Sequence, residues 1–308
     1  MIDLKQVSNL VSPMRPFLGS RVLPRLIYHR VRESEEAVRL LNELGRKCRI
    51  VAGCTDFIPA VRRGAWSFPD GVHLVDVKDA EDLRFIKEDG DNIRIGAVTR
   101  LSEILQSSLI RKQAPVLAEA VREMASLQIR NTGTIGGNLC MASPAADTAP
   151  PLLVLDAKVR IKGIGRDVLV PLTKFFLGPG KTIIGNRELL TEIEFPTMKP
   201  DGKSSWMKVG RRNAFTLSVV SVATWAKVEG GIFSDLRIAL GAVAPTPTRA
   251  VKAEHYLIGR ETSEVVIRTG AEIAASEINP ISDVRASAEY RRDMADVLTK
   301  RALVSCLK

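Results

Sequence analysis

The chain has 308 residues, of which 45% are hydrophobic and 5% aromatic, and its formal net charge is +10 at pH 7. This length is sufficient for two domains of ordinary size, and the composition excludes a disordered or fibrous protein. Lysine and arginine are scattered and few aromatic residues accompany them, so no nucleic-acid binding is predicted, and an anionic cofactor or an acidic partner surface explains the excess charge at least as well.

Cysteine and histidine spacing argues against a zinc site or an iron–sulfur cluster on this chain. The four cysteines include no Cys-x-x-Cys pair, and none of the three histidines stands beside another potential metal ligand. The N-terminus has no apolar run of signal-peptide length, and no segment approaches a membrane span. The sequence therefore predicts a cytoplasmic protein with reduced thiols, no metal and no membrane span.

The chain is predicted to begin with an extension that is followed by a helix. Residues 1–22 contain two prolines and little periodicity, which is typical of a tail or docking arm. From Ser34 the spacing of apolar residues predicts a helix that stops at Gly45, with Ser34 as its cap. Glu35 and Glu36 suit the positive end of that helix.

Residues 52–56 form the first candidate cofactor loop. A short apolar strand over 50–52 leads into Gly53-Cys54-Thr55-Asp56, and a helical stretch over 57–63 follows. A strand, a tight polar turn and a helix start aim backbone N–H groups at one place, which suits an anion.

The second candidate loop is Thr132-Gly133-Thr134-Ile135-Gly136-Gly137-Asn138. Strands over 72–77 and 93–97, a helix from Leu101 and a helix over 115–127 are predicted before it. Three glycines and two threonines in seven residues allow a sharp turn that presents bare N–H groups and hydroxyls to a phosphate. Two such loops on neighbouring strands would hold one diphosphate from both sides.

After the second loop, the role of Asp147 stays open, and the sequence excludes a nucleoside-triphosphate loop and a Gly-x-Gly-x-x-Gly dinucleotide site. Asp147 is equally suited to accept a hydrogen bond from a ribityl or ribose hydroxyl and to cap the apolar run that begins at Pro150. Gly180-Lys181-Thr182 resembles the end of a nucleoside-triphosphate loop, but Phe175 stands where that motif needs its first glycine. Since no Gly-x-Gly-x-x-Gly motif and no catalytic triad is present, any chemistry must come from a cofactor.

The C-terminal part is predicted to be a separate α+β domain. Strands over 158–161 and 192–195 complete the first part, and a polar linker over 196–203 marks the predicted boundary. Beyond it, strands precede helices, which is the order of an α+β unit. The predicted elements there are strands over 219–228 and 236–243 and helices around Ala253 and over 265–278 and 290–307.

Several of these segments together resemble a known family, the FAD-binding medium subunits of the molybdenum hydroxylases, the group of xanthine dehydrogenase and carbon monoxide dehydrogenase. The similar segments occur in the family's order over about residues 23–305. They are residues 52–56, 129–138, 142–147, 178–182, 208–212, 239–247 and 282–291.

The resemblance implies an α+β protein with a vanillyl-alcohol-oxidase-type FAD-binding fold, in which two subdomains within residues 23–196 enclose FAD. Residues 203–305 would form a C-terminal domain like that of carbon monoxide dehydrogenase flavoproteins, with a small antiparallel sheet and helices. Thr134, Asn138, Ser143 and Asp147 would lie along the ribityl chain and diphosphate, and Leu190 and Lys208 near the isoalloxazine. The complete set implied to bind FAD non-covalently is Ala52, Gly53, Cys54, Thr55, Asp56, Thr134, Ile135, Gly136, Gly137, Asn138, Ser143, Asp147, Leu190 and Lys208.

The resemblance also implies an electron-transfer role within a complex. FAD would take electrons from a [2Fe-2S] small subunit and deliver them to NAD+, a quinone or another acceptor, while a molybdopterin-binding large subunit oxidises the organic substrate. No iron–sulfur cluster and no catalytic residue is predicted on this chain. The alternative is a basic docking or scaffold subunit with weak or no FAD binding.

Cys54 motivates that alternative, because the family usually has a second glycine at this position. If the position requires a left-handed backbone, cysteine costs roughly 1–2 kcal/mol relative to glycine. Strain, benign accommodation and a functional thiol that faces the cofactor are all compatible with the sequence.

Overall fold

The structure, a computed structural model, describes residues 25–66, 68–198, 201–212 and 214–307. The predicted N-terminal extension, residues 1–22, lies outside these residues. The strands are β1 (Leu26–Arg30), β2 (Cys48–Val51), β3 (Val72–Asp76), β4 (Ile86–Asp89), β5 (Asn92–Gly96), β6 (Lys158–Gly163), β7 (Arg166–Pro171), β8 (Phe176–Gly178), β9 (Lys181–Thr182), β10 (Leu189–Pro196), β11 (Gly202–Val209), β12 (Val220–Glu229), β13 (Ile232–Gly241) and β14 (Thr248–Arg249). The α-helices are α1 (Ser34–Leu44), α2 (Phe57–Arg62), α3 (Leu101–Gln106), α4 (Ser108–Gln113), α5 (Pro115–Glu123), α6 (Leu127–Arg130), α7 (Ile135–Cys140), α8 (Ala149–Val154), α9 (Val251–Leu257), α10 (Glu264–Ser276) and α11 (Ala288–Ser305).

These strands form three main sheets and one short hairpin. A parallel sheet has the order β1-β3-β2, and an antiparallel sheet of five strands has the order β4-β5-β10-β6-β7. The third sheet, β11-β12-β13-β14, is also antiparallel, and β8 pairs with β9 alone. The predicted α+β class, with a C-terminal antiparallel sheet and helices, is therefore confirmed.

The parallel sheet is covered on both faces, as parallel sheets usually are. Neighbouring residues of a strand point to opposite faces, so Val75 of β3 packs against α1 while Leu74 packs with Phe57 and Val61 of α2. Strand β2 ends at Val51, which places the loop that follows it at the carboxyl edge of this sheet.

One hydrophobic core joins the five-stranded sheet to the C-terminal sheet. Ile93 and Ile193 of the five-stranded sheet and Leu117 of α5 are fully buried in it. Trp206 of β11 and Trp225 of β12 belong to the same core, although they follow the predicted boundary. The division at 196–203 remains a prediction, and side chains from both sides of it pack together.

A second core holds the C-terminal helices on the C-terminal sheet. Leu240 of β13 is fully buried together with Ala253 of α9, Ala274 of α10 and Ala302 of α11. Small residues at these helix positions allow the helices to approach the sheet and one another closely.

Two sequence predictions about helices differ from the structure. Ser34 is the first residue of α1 rather than its cap, and its amide donates to the Asp82 carboxylate, which lies 48 residues later. The helix predicted over 115–127 ends at Glu123, because Ala125 turns the chain with a φ of +49° before α6 begins. Among the described residues, no helix combines the length and apolarity needed to cross a membrane.

Candidate cofactor-binding cleft

A cleft of about 920 Å³ lies between the parallel sheet, the second candidate loop and the C-terminal part of the chain. This volume lies near the upper end of the range for ligand sites, as a dinucleotide-sized ligand requires. The predicted site residues that line it are Ala52, Gly53, Cys54, Thr55, Asp56, Thr134, Gly136, Gly137, Asn138, Ser143, Asp147 and Leu190.

Two predicted site residues do not line the cleft. Ile135 is fully buried in the large hydrophobic core, so its side chain supports the second loop from behind. Lys208 is held behind Asp147, and only 4% of its side chain is exposed. The structure thus brings twelve of the fourteen residues to one surface and places the other two beneath it.

The two candidate loops meet at Gly53. A Cβ atom built on Gly53 would lie 2.1 Å from the carbonyl oxygen of Thr132 and 2.9 Å from the Cα of Gly133. No side chain fits into that space, so glycine is required for the loops to approach this closely. The predicted convergence of the two loops is present in the structure.

The first loop, which lines the cleft, carries unpaired backbone donors. Among the described residues, none of the five N–H groups of residues 52–56 donates to a protein acceptor. Polar backbone groups seldom go without a partner, so this run of donors is suited to an anionic ligand. The expectation of bare N–H groups holds for this loop.

The second loop differs, because its own fold satisfies most of its donors. The amides of Ile135 and Gly136 donate to the carbonyls of Thr99 and Ala97, and that of Asn138 donates to Thr134. The Thr134 hydroxyl caps α7 by accepting from the Gly137 amide at 3.1 Å. The expectation that residues 132–138 form an open loop of bare donors was wrong: within the described contacts, Thr134 alone keeps an N–H without a protein acceptor.

The small residues of the second loop serve close packing instead. A Cβ on Gly136 would lie 2.6 Å from the Ala97 carbonyl oxygen, whereas a Cβ on Gly137 would meet only the Thr134 hydroxyl, at 2.9 Å. Gly136 therefore fixes α7 against the end of β5, and Gly137 forms part of the cleft wall.

Cys54 adopts the left-handed backbone conformation, with a φ of +55°. This conformation is unfavourable for a residue with a Cβ atom, so the strain that the sequence left open is present. Burial, together with the nearby Asp76 carboxylate, raises the pKa of the Cys54 thiol. The group at the cleft is thus a neutral thiol at neutral pH.

Asp147 forms a buried polar cluster with two residues of the C-terminal part. Its Oδ2 accepts from Lys208 Nζ at 2.6 Å, and its Oδ1 accepts from Ser218 Oγ at 2.5 Å. Burial raises the pKa of the Asp147 carboxyl, while the Lys208 ammonium and the Ser218 hydroxyl act in the opposite direction. Of the two roles left open for Asp147, capping does not occur, since α8 has no side-chain cap.

Two further polar side chains of the cleft are oriented by neighbours. Asn138 Oδ1 accepts from the Thr148 hydroxyl at 2.6 Å, which leaves the amide NH2 of Asn138 as its donor toward the cleft. Ser143 Oγ accepts from the Ala145 amide at 3.3 Å, so its hydroxyl hydrogen is available.

Sequence reasoning missed residues 215–217 and Ser218. Phe215, Thr216 and Leu217 line the cleft from the C-terminal part, and the side chains of Phe215 and Leu217 are exposed. They follow Arg211-Arg212, which the resemblance included, but no periodicity or spacing in the sequence indicated where they lie.

Two family descriptions match the chain. The FAD binding domain in molybdopterin dehydrogenase matches residues 21–198, and the CO dehydrogenase flavoprotein C-terminal domain matches residues 205–306. The glyceraldehyde dehydrogenase medium chain of Sulfolobus acidocaldarius is 34% identical over 280 residues, covering 91% of this chain and 97% of that protein. The xanthine dehydrogenase FAD-binding subunit of Escherichia coli O157:H7 is 32% identical and covers 90% of this chain and 94% of that protein.

Solved structures agree with these matches. Carbon monoxide dehydrogenase from Hydrogenophaga pseudoflava matches with a TM-score of 0.89 and 31% identity over 93% of this chain and 99% of that chain. Quinoline 2-oxidoreductase from Pseudomonas putida 86 matches with a TM-score of 0.86 and 26% identity over 93% of this chain and 98% of that chain. The fold class, the family and FAD as the cofactor are thereby confirmed. This chain belongs to the FAD-binding medium subunits of the molybdenum hydroxylases, which are flavoprotein subunits of multi-subunit oxidoreductases.

Proposed function

We propose that this chain holds one FAD non-covalently in the cleft and relays electrons from a [2Fe-2S] small subunit to NAD+, a quinone or another acceptor. A molybdopterin-binding large subunit would oxidise the organic substrate, and the complex would be cytoplasmic. Bound flavin supplies chemistry that exchanges electrons either singly or in pairs. The residues of this chain bind, orient and shield that group.

The observation that carries the proposal is the run of unpaired N–H groups in residues 52–56. The diphosphate of FAD is an anion that accepts several hydrogen bonds, and the close approach at Gly53 forms a narrow backbone cradle for it. Thr134 would add its unpaired N–H from the opposite loop. The donor set and the cleft volume both fit the cofactor.

The other side of the cleft fits the ribityl chain and the ring system. The Asn138 amide and the Ser143 hydroxyl offer donors, and the Asp147 carboxylate can accept one more hydrogen bond on each oxygen. Leu190 and Leu217 supply apolar surface of the kind that an isoalloxazine covers. Lys208 would act through Asp147, by fixing the position and charge of that carboxylate.

The scaffold alternative draws on the left-handed backbone of Cys54. That strain is present in the folded loop whether or not FAD is bound. It therefore lowers the stability of the fold, and it lowers the affinity for FAD only if binding changes the loop. The alternative therefore requires that the loop rearrange when FAD binds.

The deciding experiment is a visible absorption spectrum of the purified full chain, followed by release and identification of the chromophore. We expect a flavin spectrum and one FAD per chain, either as purified or after incubation with FAD. Absence of flavin after incubation would move the assignment to the scaffold subunit. Flavin reduction by an organic substrate in the absence of the other subunits would contradict the electron-relay role.

A further inference from the structure

A second cavity, of about 440 Å³, adjoins the cofactor cleft. Six described residues line it, and three of them, Phe215, Thr216 and Leu217, also line the cleft, so the two spaces share a wall. The other three are arginines, and no carboxylate is among the described residues that line this cavity. We call it the arginine pocket and define it by Arg211, Arg212 and Arg285.

The guanidinium groups of the arginine pocket are held in place by the protein. Arg211 Nη1 donates to the Val284 carbonyl at 3.1 Å, and Arg212 Nε donates to the Phe215 carbonyl at 3.0 Å. Arg285 donates through Nε and Nη2 to one oxygen of Asp283. Among the described contacts, each guanidinium keeps at least one N–H nitrogen that no protein acceptor engages.

The local charge is positive and only partly balanced. Asp283 is shared between Arg285 and the buried Arg291, and the hydrogen bond from the Arg285 guanidinium is the main cause that holds the pKa of its carboxyl well below its usual range. Arg211 and Arg212 form no ion pair within the part of the chain that the structure describes. Among the described ion pairs, Asp283 is thus the one carboxylate that pairs with any of these four arginines.

We propose that the arginine pocket binds the phosphate groups of a nucleotide-type electron acceptor whose redox group reaches the cofactor cleft. This inference rests on the proposed function and names the acceptor's chemical class. Planar guanidinium groups bind phosphate through paired hydrogen bonds, and a concave space of this volume suits a small molecule. Phe215 and Leu217, whose side chains are exposed on the shared wall, offer apolar surface between the phosphate end and the flavin.

The first test is a titration of the FAD-saturated full chain with ADP, monitored by calorimetry. Saturation with FAD keeps ADP out of the cofactor site. We expect saturable binding that weakens as salt is added, because the contacts are ionic. The Arg211→Gln and Arg285→Gln variants should each bind ADP about tenfold more weakly, and inorganic phosphate should compete.

Arg268→Gln is the matched control, since Arg268 is an exposed arginine of α10 whose only described ion pair is with Glu272. It should leave ADP binding unchanged. Arg285→Gln also removes a partner of Asp283, so thermal unfolding of each variant must be measured, and Arg211→Gln provides the test that leaves Asp283 intact.

The outcomes separate this inference from the proposed function. Failure to bind FAD would overturn the proposed function. Retention of FAD with no ADP binding, or with equal binding by all variants, would overturn the arginine pocket alone. Weakened assembly with the partner subunits in Arg211→Gln, without any ADP binding, would overturn it in favour of a protein interface.

Discussion

The two glycine-containing loops are similar in sequence but differ in whether their backbone N–H groups donate to protein acceptors. In residues 52–56 the backbone donors find no protein acceptor among the described residues. In residues 132–138 the donors are nearly all engaged, by the Ala97 and Thr99 carbonyls and by the Thr134 cap. Glycine content alone therefore does not predict which loop is suited to bind an anion; that depends on whether each backbone N–H already has a protein acceptor.

This contrast indicates that the two sides of the cleft have different roles. The first loop is the proposed anion cradle, and its backbone N–H groups have no described protein acceptor. The second side, from Thr134 to Asp147, is a wall whose polar groups already have protein partners. Removing a hydroxyl or carboxylate from the first loop should thus affect mainly FAD affinity, and removing one from the second side should also affect the stability of the FAD-free protein.

The largest effect is expected for Gly53→Ala, which removes the contact between the two loops. The new methyl group would overlap the Thr132 carbonyl oxygen, so the loops must separate and the cradle opens. We expect loss of stoichiometric FAD, measured by flavin absorbance after gel filtration. Gly90→Ala is the control: although Gly90, unlike Gly53, has a positive φ, nothing lies within 4 Å of a Cβ built on it, so this variant should retain FAD. Full FAD content in Gly53→Ala would disprove the cradle.

Asp147→Asn tests whether the wall is structural. The substitution leaves the Lys208 ammonium buried without a charged partner, which costs about 3 kcal/mol of unfolding free energy. We expect this loss in denaturant unfolding of the FAD-free protein. Asp167→Asn, at an exposed ion pair, should cost less than about 1 kcal/mol. Equal stability of the two variants would contradict a structural role for Asp147.

A pair of threonine variants compares the loops directly. Thr134→Ala removes the cap of α7 and should lower the unfolding free energy of the FAD-free protein by about 1 kcal/mol. Thr55→Ala removes a cleft hydroxyl without a described hydrogen bond, so it should leave that stability unchanged and weaken FAD binding about tenfold. If both variants change only the unfolding free energy, or both change only the FAD affinity, the proposed difference between the two loops is wrong.

The smallest effect is expected for Cys54→Gly. Glycine relieves the left-handed strain but increases the freedom of the unfolded chain, so the net gain in unfolding free energy should be about 0.5 kcal/mol. FAD affinity, measured by flavin fluorescence, should change less than threefold. Cys54→Ser keeps the strain and removes the thiol, so it should match the wild type. A tenfold gain in FAD affinity for Cys54→Gly would instead favour the scaffold alternative.

The sequence located both loops and predicted that they meet, because each follows a recognisable local pattern of strand or helix, glycine and threonine. It did not reveal how the second loop satisfies its donors, since the Ala97 and Thr99 carbonyls lie more than thirty residues away. The partners of Asp147 are 61 and 71 residues later in the chain. Contacts of this kind depend on how the sheets pack, which cannot be predicted from a local sequence pattern.

Strand β11 has a consequence for how the protein is made. Trp206 completes the core shared by both halves and donates through Nε1 to Glu123 of α5, while Lys208 neutralises Asp147. During synthesis, residues 25–198 emerge from the ribosome before this strand does. Until β11 has emerged, the FAD-binding half has an incomplete core and the Asp147 carboxylate has no ion-pair partner in Lys208. We therefore expect flavin to bind only after the C-terminal sheet has emerged.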